Sequence, residues 1–208
     1  MALLLHIHPD NPNERHIKTV AQCLLDGGII IYPTDTIYGL GCDIFNHKAV
    51  ERIARLKNID PAKAQLSFVC NDLSDLSKYT KSISTPLYRI LKNYLPGPYT
   101  FILPAKKDLP KRLQSKRKTI GIRIPNNKIV LNLLELYTLP LYSSTLWLPA
   151  DEFPLFDPEE INEKLGKTLD LVIDGGLGNS QMTSIVSLLD NTTDVIREGS
   201  GEVSMFYD

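Results

Sequence analysis

The sequence predicts an α/β protein with a single mixed sheet and flanking helices. Apolar, β-branched runs such as Ile29-Ile30-Ile31 suit strands buried on both faces, and between such runs lie stretches with apolar residues at helical spacing. The last strands follow one another too closely for crossover helices to join them all in parallel, so antiparallel pairs are expected among the parallel ones.

Taken in order, residues 3–7 form a first strand. Asn11 is then expected to cap a helix, with Pro12 at its first position and Glu14 placed for a capping box. Ile17, Val20, Ala21, Leu24 and Leu25 recur on one face of that helix, and Gly27-Gly28 ends it. Residues 29–32 are a buried strand. Asn46 caps a second helix with Ala49, Val50, Ile53 and Ala54 on one side, followed by Lys57 and a strand over residues 66–70. Helices are predicted for residues 71–79 and 86–94, the second after Ser84 and Thr85 and stopped by Pro96-Gly97-Pro98. Strands over 99–103 and 120–124, a helix over 128–136 and a strand over 140–146 come next. Asp157-Pro158-Glu159-Glu160 opens a helix to about residue 165, residues 169–173 form another buried strand, and 184–189 with 194–197 read as a hairpin turning near Asp190-Asn191. No repeat, low-complexity stretch or long linker divides the chain, so residues 1–208 are expected to form one domain.

A composition with 43% hydrophobic and 23% charged residues is that of a globular protein. No apolar run reaches the ~20 residues of a membrane helix, and the first residues are too short for a secretory core, so a cytoplasmic protein without membrane contact is expected, as monomer or homodimer. The three cysteines, Cys23, Cys42 and Cys70, lack CxxC spacing and read as reduced thiols. His6 and His8 share a strand face, but only His16 and His47 remain to join them, so no tightly bound protein metal site is expected. The net charge is only -1, but it is unevenly spread. Lys106, Lys107, Lys111, Arg112, Lys116, Arg117, Lys118, Arg123 and Lys128 face the single acid Asp108, whereas acids dominate from Asp151 to Asp174. Such a basic segment suits phosphate contact or, equally, a solvated edge.

GxGxxG, GxxxxGK, HExxH and GxSxG motifs are all missing, which removes the main support for dinucleotide, P-loop, zinc-protease and hydrolase chemistry. The stretch 33–41, Pro-Thr-Asp-Thr-Ile-Tyr-Gly-Leu-Gly, instead brings two hydroxyls, a carboxylate and a phenol into one loop after a buried strand. That composition is built like a ligand pocket, although an ordinary Pro- and Gly-containing connection explains it too. Thr34, Thr36, Lys57, Thr100, Arg123, Ser144, Thr145, Thr183, Ser184 and Arg197 all fall near strand ends, which are expected to gather at one rim of the sheet. Hydroxyls with Lys and Arg suit the binding of phosphates and carboxylates better than acid-base hydrolysis.

Taken together, residues 33–41, Pro96-Gly97-Pro98-Tyr99-Thr100, Ile120-Gly121-Ile122-Arg123-Ile124-Pro125, Thr183-Ser184-Ile185-Val186 and Ile196-Arg197-Glu198-Gly199 resemble the ordered motifs of the YrdC-like family. His8-Pro9-Asp10-Asn11-Pro12, residues 116–121 and Asp157-Pro158-Glu159-Glu160-Ile161 resemble its YciO subgroup. The resemblance implies a twisted α/β fold with a large concave basic cavity. It also implies binding of ATP or AMP and of double-stranded RNA or transfer RNA. The activity it implies is synthesis of threonylcarbamoyl adenylate from L-threonine, bicarbonate and ATP, with Mg2+ accompanying the nucleotide, for transfer-RNA modification. A non-catalytic RNA-binding protein is the alternative.

On that resemblance Thr34, Thr36 and Tyr38 shape the threonine end, Lys57 and Arg123 hold carboxylate and phosphate oxygens, and Thr183, Ser184 and Arg197 hold the nucleotide. Thr100, Ser144 and Thr145 complete the substrate site, and Lys106, Lys107, Lys111, Arg112, Lys116, Arg117 and Lys118 contact RNA. Two departures stand out. Lys57-Asn58-Ile59 lacks the arginine of the family's Lys-x-Arg motif, and Thr145-Leu146-Trp147 replaces Ser-x-Asn.

Overall fold

A computed structural model describes residues 1–60, 67–109, 113, 118–190 and 192–207. Its strands are β1 (Leu3–His6), β2 (Ile29–Tyr32), β3 (Gly39–Asp43), β4 (Ser67–Val69), β5 (Tyr99–Pro104), β6 (Thr119–Arg123), β7 (Leu141–Thr145), β8 (Leu171–Asp174), β9 (Ser184–Ser187) and β10 (Asp194–Arg197). They form a 10-stranded sheet in the order β1-β8-β2-β3-β7-β4-β6-β5-β9-β10. The sheet is mixed as expected: β8 pairs in parallel with β1 and β2, β4 with β6 and β5 with β9, while the remaining neighbours are antiparallel.

The helices are α1 (Glu14–Leu25), α2 (His47–Leu56), α3 (Leu76–Tyr79), α4 (Thr85–Tyr94), α5 (Lys128–Tyr137) and α6 (Pro158–Leu165). None of the described helices is long and apolar enough to cross a membrane. Asn46 and Asp157 cap α2 and α6 as their sequences predict. The cap of α1 is Asn13 and not Asn11, its side chain accepting from Arg15 N. The turn before it is tied instead by His8 Nδ1, which accepts from the backbone of Asp10 and Asn11. Residues 71–79 start as a 3-10 turn, Leu73–Asp75, before the single turn of α3.

The largest departure is β3. Read from sequence, Gly39-Leu40-Gly41 closes a loop, but it pairs along β2 with Tyr32 opposite Gly39 and Ile30 opposite Gly41. The Tyr32 ring lies where side chains at these glycines would be: a Cβ on Gly39 would stand 2.4 Å from Tyr32 Cζ, and one on Gly41 2.9 Å from Cε1. Residues 33–38 are therefore the connection of a β-hairpin.

Side-chain alternation gives the sheet two faces. On the first, Ile29, Ile31, Leu40, Phe68, Phe101, Ile122, Tyr142 and Val186 pack with α2, α4 and α6 in one apolar cluster. On the second, α1 and α5 cover Ile30, Tyr32, Val69, Leu141, Leu171 and Ile173. That cover stops at β4: Gly121 and Arg123 of β6, Thr100 and Ile102 of β5 and Ile185 of β9 belong to neither cluster. The second face thus continues into a part where Gly121, Thr100 and Arg123 stand among Ile102 and Ile185.

Candidate functional site

Arg123 ends β6 on this part of the sheet, and it is buried. Its Nη2 donates to Thr34 Oγ1 at 3.0 Å, to Asp35 Oδ1 at 2.6 Å and to Thr36 Oγ1 at 2.7 Å. The loop is shaped for this. Thr34 Oγ1 accepts from Thr36 N at 3.0 Å and donates to the carbonyl of Ile37 at 2.7 Å, a local side-chain turn that turns both hydroxyls to the guanidinium. Four inter-strand spacings of about 4.8 Å, roughly 19 Å, separate β2 from β6 in the sheet. The loop after β2 bridges them, so it lies across the second face instead of projecting beyond the strand ends. Arg123 Nε and Asp35 Oδ2 are buried without hydrogen-bond partners among the described residues.

A second guanidinium stands near. Arg197, at the end of β10, donates through Nε and Nη2 to Thr183 O at 3.0 and 2.8 Å and through Nη2 to Thr183 Oγ1 at 3.0 Å. Thr183 Oγ1 also meets Thr100 Oγ1 at 3.1 Å. Burial, and then the positive charge of Arg123, lower the pKa of Arg197. Such a pair favours an anion between or beside them.

Lys57, the C-cap of α2, is placed at the other end of the loop. Its Nζ donates to the carbonyls of Thr145 at 3.0 Å and Trp147 at 2.5 Å, and burial lowers its pKa. Two of its three donors are so occupied among the described residues. Thr145 lies opposite Gly39 in the sheet, and Leu146 N donates to Tyr38 O. Residues 34–39 therefore run from the arginines to the lysine.

Comparison with known proteins converges on one group. The Sua5/YciO/YrdC family model, described as telomere recombination, matches residues 22–199. The chain belongs to the Sua5/YciO/YrdC family. It is 44% identical to the uncharacterized protein YciO of Escherichia coli over 207 residues, 99% of this chain and 100% of the relative, and the crystal structure of E. coli YciO superimposes with a TM-score of 0.92 at 43% identity, covering 100% of both chains. A threonylcarbamoyl-AMP synthase of Coxiella burnetii is 30% identical over 162 residues, 78% of this chain and 86% of the relative. The fold is also that of P. abyssi Sua5 complexed with L-threonine, with a TM-score of 0.86 at 23% identity, covering 95% of this chain and 58% of the other.

Within this Sua5/YciO/YrdC chain the sequence-predicted residues separate by environment. Thr34, Thr36 and Arg123 form one hydrogen-bonded unit, Thr100, Thr183 and Arg197 another, and Lys57 with the backbone of Thr145 a third. The strand ends do not gather at a single rim, because the pairing makes β2 and β6 run in opposite senses. Tyr38 is fully buried, donates to Gly176 O at 2.6 Å and has its pKa pushed up to about 12 by burial. Ser184 Oγ donates to Gly201 O at 2.6 Å and accepts from Gly199 N at 2.9 Å. Ser144 pairs with Leu40 and so shares the first face, opposite Thr145. Asp35, absent from the sequence-predicted site, is the ion-pair partner of Arg123. A carboxylate flanked by two threonines in the family loop was its only signal. Of the basic segment, Lys106, Lys107 and Lys118 are exposed, whereas Lys111, Arg112, Lys116 and Arg117 lie outside the described residues.

Proposed function

We propose that this protein joins L-threonine, bicarbonate and ATP into threonylcarbamoyl adenylate and pyrophosphate in the cytoplasm. The observation that carries the reading is the buried Arg123, fixed through Nη2 by Thr34, Asp35 and Thr36 while its Nε has no partner among the described residues. A guanidinium fixed in place with a second guanidinium in electrostatic reach is a preorganised site for an anion. The threonylcarbamoyl-AMP synthase relatives and the threonine complex of Sua5 support the choice of substrates.

In the reaction the amino group of threonine takes up bicarbonate with loss of water. A carbamate oxygen then attacks the α-phosphorus of ATP, and the bond to the β-phosphate oxygen breaks to release pyrophosphate. Both partners are anions, so the cations serve to bring them together and to spread the charge that moves to pyrophosphate. Arg123 and Arg197 are assigned to phosphate and carboxylate oxygens, and Lys57 to the same role from the far end of the loop. Thr34 and Thr36 act by holding Arg123, and Tyr38 and Ser184 by bracing the backbone around the ligand. Among the described residues no three His, Cys, Asp or Glu side chains converge on a metal position. Mg2+ would come with ATP, held by phosphate oxygens and water, and would neutralise phosphate charge.

Pyrophosphate release with ATP, bicarbonate and each amino acid in turn tests this. Release specific to threonine is expected, and its absence with every amino acid sinks the enzymatic reading in favour of an RNA-binding protein. Because Ile59 stands where the Lys-x-Arg motif has arginine, Ile59→Arg is expected to raise the rate at least ~10-fold, the equivalent of about 1.4 kcal/mol of transition-state binding.

A further inference from the structure

A second, separate pocket lies beside the basic segment. It is a cavity of about 450 Å3, with Leu73, Leu76 and Ile83 as its apolar wall and Lys81, Tyr88 and Lys106 among its polar lining. It lies off the far end of β5: Lys81 N donates to Pro104 O and Lys106 N to Tyr79 O. From Thr100 to Pro104 the strand advances about 14 Å, at roughly 3.4 Å per residue, so this pocket is distinct from the arginine site.

We infer that this pocket receives one unpaired nucleotide of a bound RNA, its base against the Tyr88 ring and its phosphate at Lys81 and Lys106. This rests on the reading of residues 106–128 as an RNA-binding segment. The lining contains two cations and no carboxylate. Asp72 and Asp75, which flank Leu73, are turned to their own partners, Asp72 to Ser74 and Asp75 to Lys78, and Asp108 lies in the exposed turn that follows Lys106. Lys81 and Lys106 have no ion-pair partner among the described residues, and the only contact of the Lys106 ammonium there is the carbonyl of Ser77 at 3.4 Å. The side chain of Tyr88 is an aromatic ring left 44% exposed on a helix, where packing does not require one. An exposed ring and two lysines without ion-pair partners among the described residues, lining one pocket with an apolar wall, are how proteins hold a splayed-out base and its backbone. The volume falls in the range of small-ligand sites, large enough for one nucleotide.

The test is fluorescence anisotropy of the full chain with two labelled RNA probes, a blunt duplex and the same duplex carrying a single-stranded tail. Wild type should bind the tailed probe more tightly. Tyr88→Ala should weaken the tailed probe by roughly 5- to 150-fold, as expected for loss of one stacked base, and leave the duplex unchanged, while Tyr88→Phe keeps wild-type affinity. Lys106→Ala should reduce the salt slope for the tailed probe by about one. Tyr88 is exposed, so these variants are expected to fold, and pyrophosphate release should be unaffected. Equal wild-type affinity for both probes, or a Tyr88→Ala loss shared by both, overturns the pocket while leaving RNA binding in place. No binding to either probe at low salt removes both the pocket and the RNA reading.

Discussion

Arg123→Ala is the substitution with the largest effect that the geometry predicts. The Arg123 and Asp35 side chains are only 8% and 12% exposed, and 2.6 Å separates Nη2 from Oδ1. Removing the guanidinium leaves a buried carboxylate without its counter-charge and takes one donor from each of two threonine hydroxyls. Breaking a buried pair from one side costs about 3–5 kcal/mol. For a chain of this size each kcal/mol lowers Tm by about 2–4 °C, so the expected fall is roughly 6–20 °C by differential scanning calorimetry. Replacing both partners, Arg123→Met with Asp35→Leu, removes the unpaired charge and should recover most of the loss. A fall below about 2 °C for Arg123→Ala, the range of an exposed pair, would refute the reasoning. So would a double variant whose loss equals the sum of the two single losses, since that means the residues are not coupled.

Three further outcomes are expected. Gly39→Ala sets a Cβ 2.4 Å from Tyr32 Cζ and 2.7 Å from its hydroxyl oxygen, so it should destabilise by about 1–3 kcal/mol in urea unfolding and disrupt the Tyr32–Ser143 hydrogen bond; a neutral change would mean the ring can move aside. Asn13→Ala should cost about 1 kcal/mol and Asn11→Ala close to nothing, the reverse of what the Asn-Pro sequence suggests, as read from the two urea midpoints. Burial pushes the Cys42 thiol from 9.0 up to about 12 and raises that of Cys70 as well, so both stay protonated in the folded chain after they ionise in the unfolded one. Their contribution to stability is fully present below about pH 9 and is lost as pH climbs toward 12, by up to about 1.4 kcal/mol per pH unit for each thiol. The Cys42→Ala, Cys70→Ala double variant should flatten that decline, and an unchanged slope would exclude the thiols as its source.

What the sequence reveals of this fold depends on where the determining forces are local. The run Ile29-Ile30-Ile31 and the caps Asn46 and Asp157 act within a few residues, and the structure follows them. β3 escaped because its glycines are poor strand formers, selected by a ring on the neighbouring strand and not by their own preference. Asn11-Pro12 imitates a helix start, but His8 holds that turn and the helix begins two residues later. For the site, Arg123 and Arg197 could be picked out singly as cations near strand ends. Their approach depends on the order β6-β5-β9-β10, which alternating hydrophobicity does not encode. The pairing of Asp35 with Arg123 was hidden for the same reason, since the two are 88 residues apart.

The two arginines differ in how firmly they are held. Arg123 sits on an interior strand with neighbours on both sides, whereas Arg197 ends β10, the outermost strand, which has a single neighbour and a register irregularity between Val195 and Arg197. Edge segments open at lower free energy than the centre of a sheet, so Arg197 can leave by local fraying of the β9–β10 hairpin while Arg123 departs only with the fold. An anion bridging them would tie the least protected strand to the most protected part of the molecule. Occupancy of the site should then be readable far from any chemistry, as slower amide exchange along β10.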